Sequence, residues 1–474
     1  MAGQPPGKPS VRLCLRPCRN HRLCHAHHGY TNTFYSKETQ MKTSTSPVSY
    51  KDALKFWTKL GFISFGGPAG QIAIMHQEVV ERKNWITENQ FLRALNFCML
   101  LPGPEAQQLA TYIGWRMHGI KGGITAGALF VIPSIFVMLL LSYLAVAHMG
   151  IPAVAAAFYG IQPVVVAVVI EAVLRIGKKA LKHAMLYGFA LIAFVGIFFL
   201  KIPFPYIVLA AALGGLILQR VFPEVFCKGV YDSQSRECKS EVEPDSGQKN
   251  ILPSLSHVLK VFFVCLGLWV LVVGTLLIFR GYDDTLSRIA LFFTKAAFVT
   301  FGGAYAVLSY ITDVAVSNGW LTTQQMLIGL GLAESTPGPL IMVTQYVGFV
   351  GAWNLPAGLT PLTAAIIGAL VTTYVTFLPC FFFIFAGAPF IEAMAGNQRL
   401  QAALTGVTAA VVGVILNLAV WFGYKVIWPN GGELDLFAIL CALGSLVLLQ
   451  KYHFPIQYLV PLGAVTGVIW HLAF

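Results

Sequence analysis

Two Pro-Gly-Pro triplets, Pro102-Gly103-Pro104 and Pro337-Gly338-Pro339, interrupt apolar stretches of this chain, and two glycine pairs, Gly66-Gly67 and Gly302-Gly303, interrupt two more. Proline lacks the amide proton a helix needs and collides with the preceding turn, while glycine takes dihedrals closed to other residues. Each element therefore breaks a helix, and the next helix starts with amides that have no partner in their own turn. Helix N-termini gather unpaired donors and partial positive charge, which suits an oxyanion such as sulfate, phosphate or chromate. Such amides are expected at Glu105 to Gln107 and Leu340 to Met342, and again after each glycine pair. The competing reading is glycine packing and proline kinks without a ligand; four breaks placed by symmetry favour a site.

Around these breaks stand the polar groups that could line such a site. Lys59 and Lys295 each precede a Phe-Gly-Gly element by six residues, where a lysine either draws an anion inward or snorkels to the nearest interface. Glu105, directly after the first triplet, reads as a proton-coupling carboxylate or as a cap for the new helix. Glu334 precedes the second triplet by three residues, while Leu340 takes the place of Glu105. Gln71, Asn96, Gln107, Gln108 and Gln345 line a path or bond neighbouring helices. Arg116 reads as an interfacial anchor, and Glu171 and Asn417 as helix-contact residues.

The elements that must position these groups are set by composition. Of 474 residues, 56% are hydrophobic and 11% charged, and the mean hydropathy is +0.69. Apolar runs of roughly 20 residues, enough for a hydrocarbon core of about 30 Å, recur from Leu54 onward, which makes this an all-α polytopic membrane protein. The net charge of +12 lies largely in short loops and reads as an orientation signal rather than a nucleic-acid surface. The nine cysteines show no paired framework. Cys14, Cys18, His21, Cys24, His25, His27 and His28 crowd the N-terminal region, but their spacing matches no standard zinc pattern, so no metal and no cofactor is expected.

The chain repeats itself. Thr58, Lys59, Phe62, Phe65, Gly66 and Gly67 return as Thr294, Lys295, Phe298, Phe301, Gly302 and Gly303, an offset of 236. Trp85, Thr87, Gln90 and the triplets return at 235, and Pro133 and Gly160 return as Pro379 and Gly406 at 246. This order predicts a basic tail over 1–49, a first repeat over 50–220, a polar cytoplasmic linker over 221–254, an extra span over 255–279 and a second repeat over 286–474. The tail has no secretory h-region; it reads as disordered, transit-like or an upstream extension. Each repeat is expected to hold two broken or re-entrant segments and four simple spans, an even number of crossings. The extra span then turns the second repeat over. Arg82, Lys83, Arg116, Lys121, Arg175, Lys178, Lys179 and Lys182 mark cytoplasmic turns in the first half, whereas the equivalent loops 317–323 and 353–361 contain no lysine or arginine. Charge bias and parity thus predict a cytoplasmic N-terminus, a C-terminus on the other side, and inverted repeats with a midplane site.

The ordered motifs FGGP (65–68), LPGPE (101–105), FGG (301–303) and TPGP (336–339) resemble the chromate ion transporter family in its long, two-domain form, over about residues 49–474. The resemblance implies chromate efflux across the plasma membrane, chromate resistance, and recognition of sulfate as a look-alike dianion. Ala304 for Pro68 and Leu340 for Glu105 depart from the first motif set, so the halves are not expected to play equal parts. Substrate-binding residues are expected among Lys59, Gly66, Gly67, Gly103, Glu105, Gln107, Lys295, Gly302, Gly303, Gly338 and Gln345. The partners are an inorganic oxyanion and the lipid bilayer, with no nucleic acid, and homodimerisation is left open. With no G-x-x-x-x-G-K-[ST] loop, transport is expected to run on an ion gradient. An anion channel, or a transporter whose physiological substrate is sulfate or another oxyanion, is the alternative. No H-E-x-x-H or paired acid-and-nucleophile set supports a membrane-embedded enzyme.

Overall fold

The computed structural model describes residues 48–65, 67–223, 225, 255–391, 397–429 and 433–473. The N-terminal Cys/His cluster, nearly all of the linker, and Gly66 lie outside the described residues. The described chain is helical, with no strand among the described residues. In order it forms α1 (Tyr50–Ile63), α2 (Gly67–His76), α3 (Glu88–Leu100), α4 (Glu105–Ala147), α5 (Pro152–Ala180), α6 (Ala184–Phe198) and α7 (Phe204–Gln219). Then follow α8 (Leu255–Arg280), α9 (Thr285–Val299), α10 (Ala304–Ser317), α11 (Thr323–Ser335), α12 (Val343–Asn354), α13 (Pro361–Gly387), α14 (Gln398–Ile427), α15 (Leu436–Tyr452) and α16 (Ile456–Ala473). Among the described residues, six helices are long and apolar enough to cross a membrane: α4, α5, α8, α13 with its 3-10 extension to Phe390, α14 and α16. The protein is an all-α polytopic membrane protein.

Local sequence explains where the helices start. Thr87 and Thr322 each accept from the amide three residues on, while Gln90 and Gln325 reach back to the threonine amides, so both sites close a full capping box. These are the residues that the repeat offset pairs. Pro152 and Pro361 open α5 and α13, where a missing amide costs nothing. The breaks fall where the sequence puts them. α1 stops at Ile63 and α9 at Val299, and the hydroxyls of Ser64 and Thr300 fold back onto the carbonyls of Leu60 and Ala296. α3 stops at Leu100 and α11 at Ser335, ahead of the two triplets.

The segment after the first triplet makes a hairpin. Gly114 and Gly122 would stand about 12 Å apart on a straight helix, yet a Cβ on Gly114 would strike the carbonyl of Gly122. The chain turns back at His118 and Gly119, whose dihedrals are not helical. In the second half Gly348 of α12 meets Gly368 and Thr372 of α13 in the same way. The last helix of each half packs across onto the other half: α7 lies on α14 and α16 on α5. Glycines allow both approaches, since a Cβ on Gly160 would strike the carbonyl of Gly463, and one on Gly406 the carbonyl of Ala211.

Candidate functional site

All four breaks meet. A cavity is lined by Pro68 and Gln71 of α2, by Pro104, Glu105 and Ala106 at the start of α4, by Gly303 and Ala304 at the start of α10, and by Pro339, Leu340 and Ile341 after the second triplet. About 10 Å³ of it is open to the centre of a water-sized sphere, room for about one water molecule. Four chain starts around one small space concentrate the donors and partial charges of four first turns.

The broken backbone satisfies itself by exchange between the halves. The Gly103 amide donates to the Thr300 carbonyl at 2.8 Å, and the Gly338 amide donates to the Ser64 carbonyl at 2.7 Å. Each triplet is thus bonded to the residue just ahead of the other half's Phe-Gly-Gly element. Both glycines sit at positive φ, +121° and +109°, which only glycine adopts without strain. Ser134 donates to the Pro337 carbonyl, and its counterpart at offset 246, Cys380, has its Sγ 2.9 Å from where a Gly103 Cβ would be. Gln71 adds a bond from Nε2 to the Gly338 carbonyl at 2.5 Å and reaches the Ser64 carbonyl at 3.3 Å. Non-helical backbone at membrane depth needs such partners, because lipid offers none.

Among the expected site residues, Glu105 and Gly303 line the cavity. Gly67 opens α2 beside Pro68, Gly103 and Gly338 form the crossed bonds, and Gly302 faces Val411 of α14. Gln107 is fully buried and bonds Thr111 at 3.1 Å, while its Oε1 has no partner. Gln345 donates to the Ile135 carbonyl at 2.9 Å and accepts from Thr373 at 3.0 Å. It therefore ties the halves together and is not among the cavity-lining residues. The two lysines are placed elsewhere: Lys59 is 61% exposed with Nζ 3.9 Å from Glu78, and Lys295 is exposed. Neither lysine is among the cavity-lining residues. Glu105 is the first helical residue, and Pro104 holds the N-cap position. The expected triplet of amides at Leu340 to Met342 is reduced, because a 3-10 turn there hands the Met342 amide to the Pro339 carbonyl at 2.9 Å.

The family profile described as chromate transporter matches residues 51–216 and 287–468, one stretch in each half. The chain belongs to the chromate transporter family. Similar proteins in this family include a chromate transport protein of Pseudomonas aeruginosa, 32% identical over 77% of this chain and 79% of that protein. A probable chromate transport protein of Synechococcus elongatus is 27% identical over 89% of this chain and 96% of its own length. An uncharacterized transporter of Bacillus subtilis is 31% identical over 32% of this chain and 79% of its own length, so a stretch of about a third of this chain matches most of that relative. No solved structure matches the chain. Membership in a transporter family, together with the six apolar helices, makes this an integral, multi-pass membrane protein.

In this family member the structure also brings together groups that the sequence left apart. Tyr305, the second residue of α10, donates to Glu334, the penultimate residue of α11, and both are buried. A lone carboxylate in an apolar stretch demands a partner, and that demand was the available signal. Nothing in the spacing named Tyr305 as the group that meets it.

Proposed function

We propose that the protein is a secondary transporter that carries chromate, and sulfate as a dianion of the same shape, by alternating access between two oppositely mounted halves. In the plasma membrane this activity exports chromate and confers chromate resistance. The observation that carries this reading is the convergence of four interrupted helices on one cavity, with Glu105 and Gly303 in its wall and Gly67, Gly103, Gly302 and Gly338 at positive φ at the breaks. The chromate named in the relatives supports the substrate. Lysine and arginine bias, with an odd number of crossings before the second half, supports a cytoplasmic N-terminus and linker and a C-terminus on the far side. The cavity holds about one water, so a tetrahedral oxyanion binds only when the halves move apart, as a carrier requires and an open pore does not.

The test uses full-length protein in sealed vesicles. Labelled chromate flux should saturate, sulfate should compete with it, and an imposed ion gradient should change the rate. Steady current without saturation would identify a channel instead, and no flux of either anion would refute the substrate.

A further inference from the structure

Resting on the transport reading above, we propose that the cavity selects an oxyanion that carries a proton, hydrogen chromate among the chromate species, and that the side-chain oxygen of Gln71 accepts its O–H. Among the described residues, Gln71 and Glu105 are the two cavity-lining residues with polar side chains. Gln71 is 1% exposed. Its Nε2 donates to the Gly338 carbonyl at 2.5 Å and reaches the Ser64 carbonyl at 3.3 Å, while its Oε1 is buried with no partner. The two carbonyls fix which way the amide is turned, because carbonyls only accept and the nitrogen must face them. The oxygen is left over. Gln107 and Gln108 also have unpartnered oxygens, but neither residue lines the cavity.

A buried acceptor without a donor is costly until one reaches it. Around the same space the first turns of α2, α4 and α10 supply donors and partial positive charge. An oxyanion with a hydroxyl satisfies both kinds of group: its bare oxygens accept from the backbone, and its O–H donates to Oε1. A fully deprotonated dianion meets the backbone equally well but sets a lone pair against the Gln71 oxygen. Glu105 acts in the same sense when ionised, since a carboxylate accepts only and repels a second negative charge. The amide oxygen does not titrate, so its preference holds whatever the state of Glu105. Chromate takes up a proton near neutral pH, whereas sulfate does so only in strong acid, and sulfate is then the poorer ligand. Ser64 and Gln71 belong to the same half. When Gly338 withdraws, Nε2 keeps an acceptor that travels with it, and Oε1 stays turned to the space that opens.

The repeat separates this amide from scaffolding. Offsets of 236 and 235 pair Gln71 with Val307 and Glu105 with Leu340, both apolar. Both halves make the crossed bonds, and the one from Gly103 to Thr300 stands with Val307 in the place of the glutamine. The contact between the halves does not call for an amide there, so a glutamine in one copy, with its oxygen free, matches a group kept for the ligand.

The experiment measures inhibition of labelled chromate flux in sealed vesicles holding the full-length protein, at one neutral pH, by two pairs of anions matched in shape. Phosphate and arsenate carry a proton there; sulfate and selenate do not. Phosphate should inhibit at roughly 10- to 100-fold lower concentration than sulfate, and arsenate than selenate, the effect of one buried acceptor met or unmet. Q71K keeps a donor for the two carbonyls and has no acceptor, so the ratio should collapse in both pairs, chiefly through stronger inhibition by sulfate and selenate. Q71E keeps an acceptor and should keep the ratio. A merely structural role for Gln71 changes the amount of folded protein and leaves these ratios alone. Equal inhibition within each pair in wild type would overturn the proposal even if no variant folds. An unchanged ratio in folded Q71K would overturn it too and leave Oε1 to a structural water. Vesicles that pass no chromate refute the transport reading and this proposal with it; saturable chromate flux with equal inhibition within the pairs refutes this proposal alone.

Discussion

Replacing Gly338 by alanine tests whether the crossed bonds hold the site together. At φ +109° any Cβ is strained, by roughly 1–3 kcal/mol. The new methyl would land on the Ser134 hydroxyl and lie 3.0 Å from its Cβ, so Ser134 must move and its bond to the Pro337 carbonyl is lost, about 1 kcal/mol. Any shift of the Gly338 amide from the Ser64 carbonyl, now 2.7 Å away, leaves a buried donor and acceptor unpaired, roughly 1–3 kcal/mol more. The total is about 3 kcal/mol at least. Gly358→Ala is the control: it has φ +85° but nothing within 4 Å in an exposed loop, so it carries only the dihedral strain of about 1–2 kcal/mol. Thermal inactivation midpoints in detergent, with flux in vesicles, should show G338A well below G358A. Adding Ser134→Ala removes the closest contact and should recover about 1 kcal/mol of the loss, a non-additive pair. A G338A midpoint equal to that of G358A, or a double variant no better than G338A, would refute the crossed-bond reasoning.

Three further outcomes are expected. Gln71→Leu removes the amide that reaches both Gly338 and Ser64 carbonyls and should destabilise by roughly 1–3 kcal/mol, with flux falling in proportion to the folded fraction or further; an unchanged midpoint would show those carbonyls are satisfied otherwise. Gly160→Ala would place a methyl 2.7 Å from the Gly467 Cα, and Gly406→Ala 3.2 Å from the Gly215 Cα; with backbone as the obstacle, each should cost about 1–3 kcal/mol and lower the yield of folded protein, while Gly150→Ala, with nothing within 4 Å, should not. Lys59→Ala and Lys295→Ala should each keep flux within about 2-fold, because both lysines are exposed and neither lines the cavity; loss of most of the flux from well-folded protein would return the lysines to the substrate path.

Local and periodic features were legible in the chain itself. The triplets and glycine pairs stop helices wherever they stand, because a missing amide and a positive φ act within one turn. Thr87 with Gln90, and Thr322 with Gln325, announce helix starts for the same reason, and hydropathy alone separates membrane-length helices from loops. The repeat offsets needed only ordered identities. Partners across space were not legible. Nothing near Gly103 in sequence says that its amide meets Thr300, or that Ser134 meets Pro337, since these contacts join residues about 200 apart through the packing of whole helices. A basic residue near a helix end looks alike whether it faces water or a buried acid. Lys59 and Lys295 accordingly left an inward and an outward reading equally open and are exposed, while nothing around Glu334 announced that Tyr305 would donate to it. A helix fixes which of its residues share a face; which neighbour that face meets is decided only when all the helices pack at once.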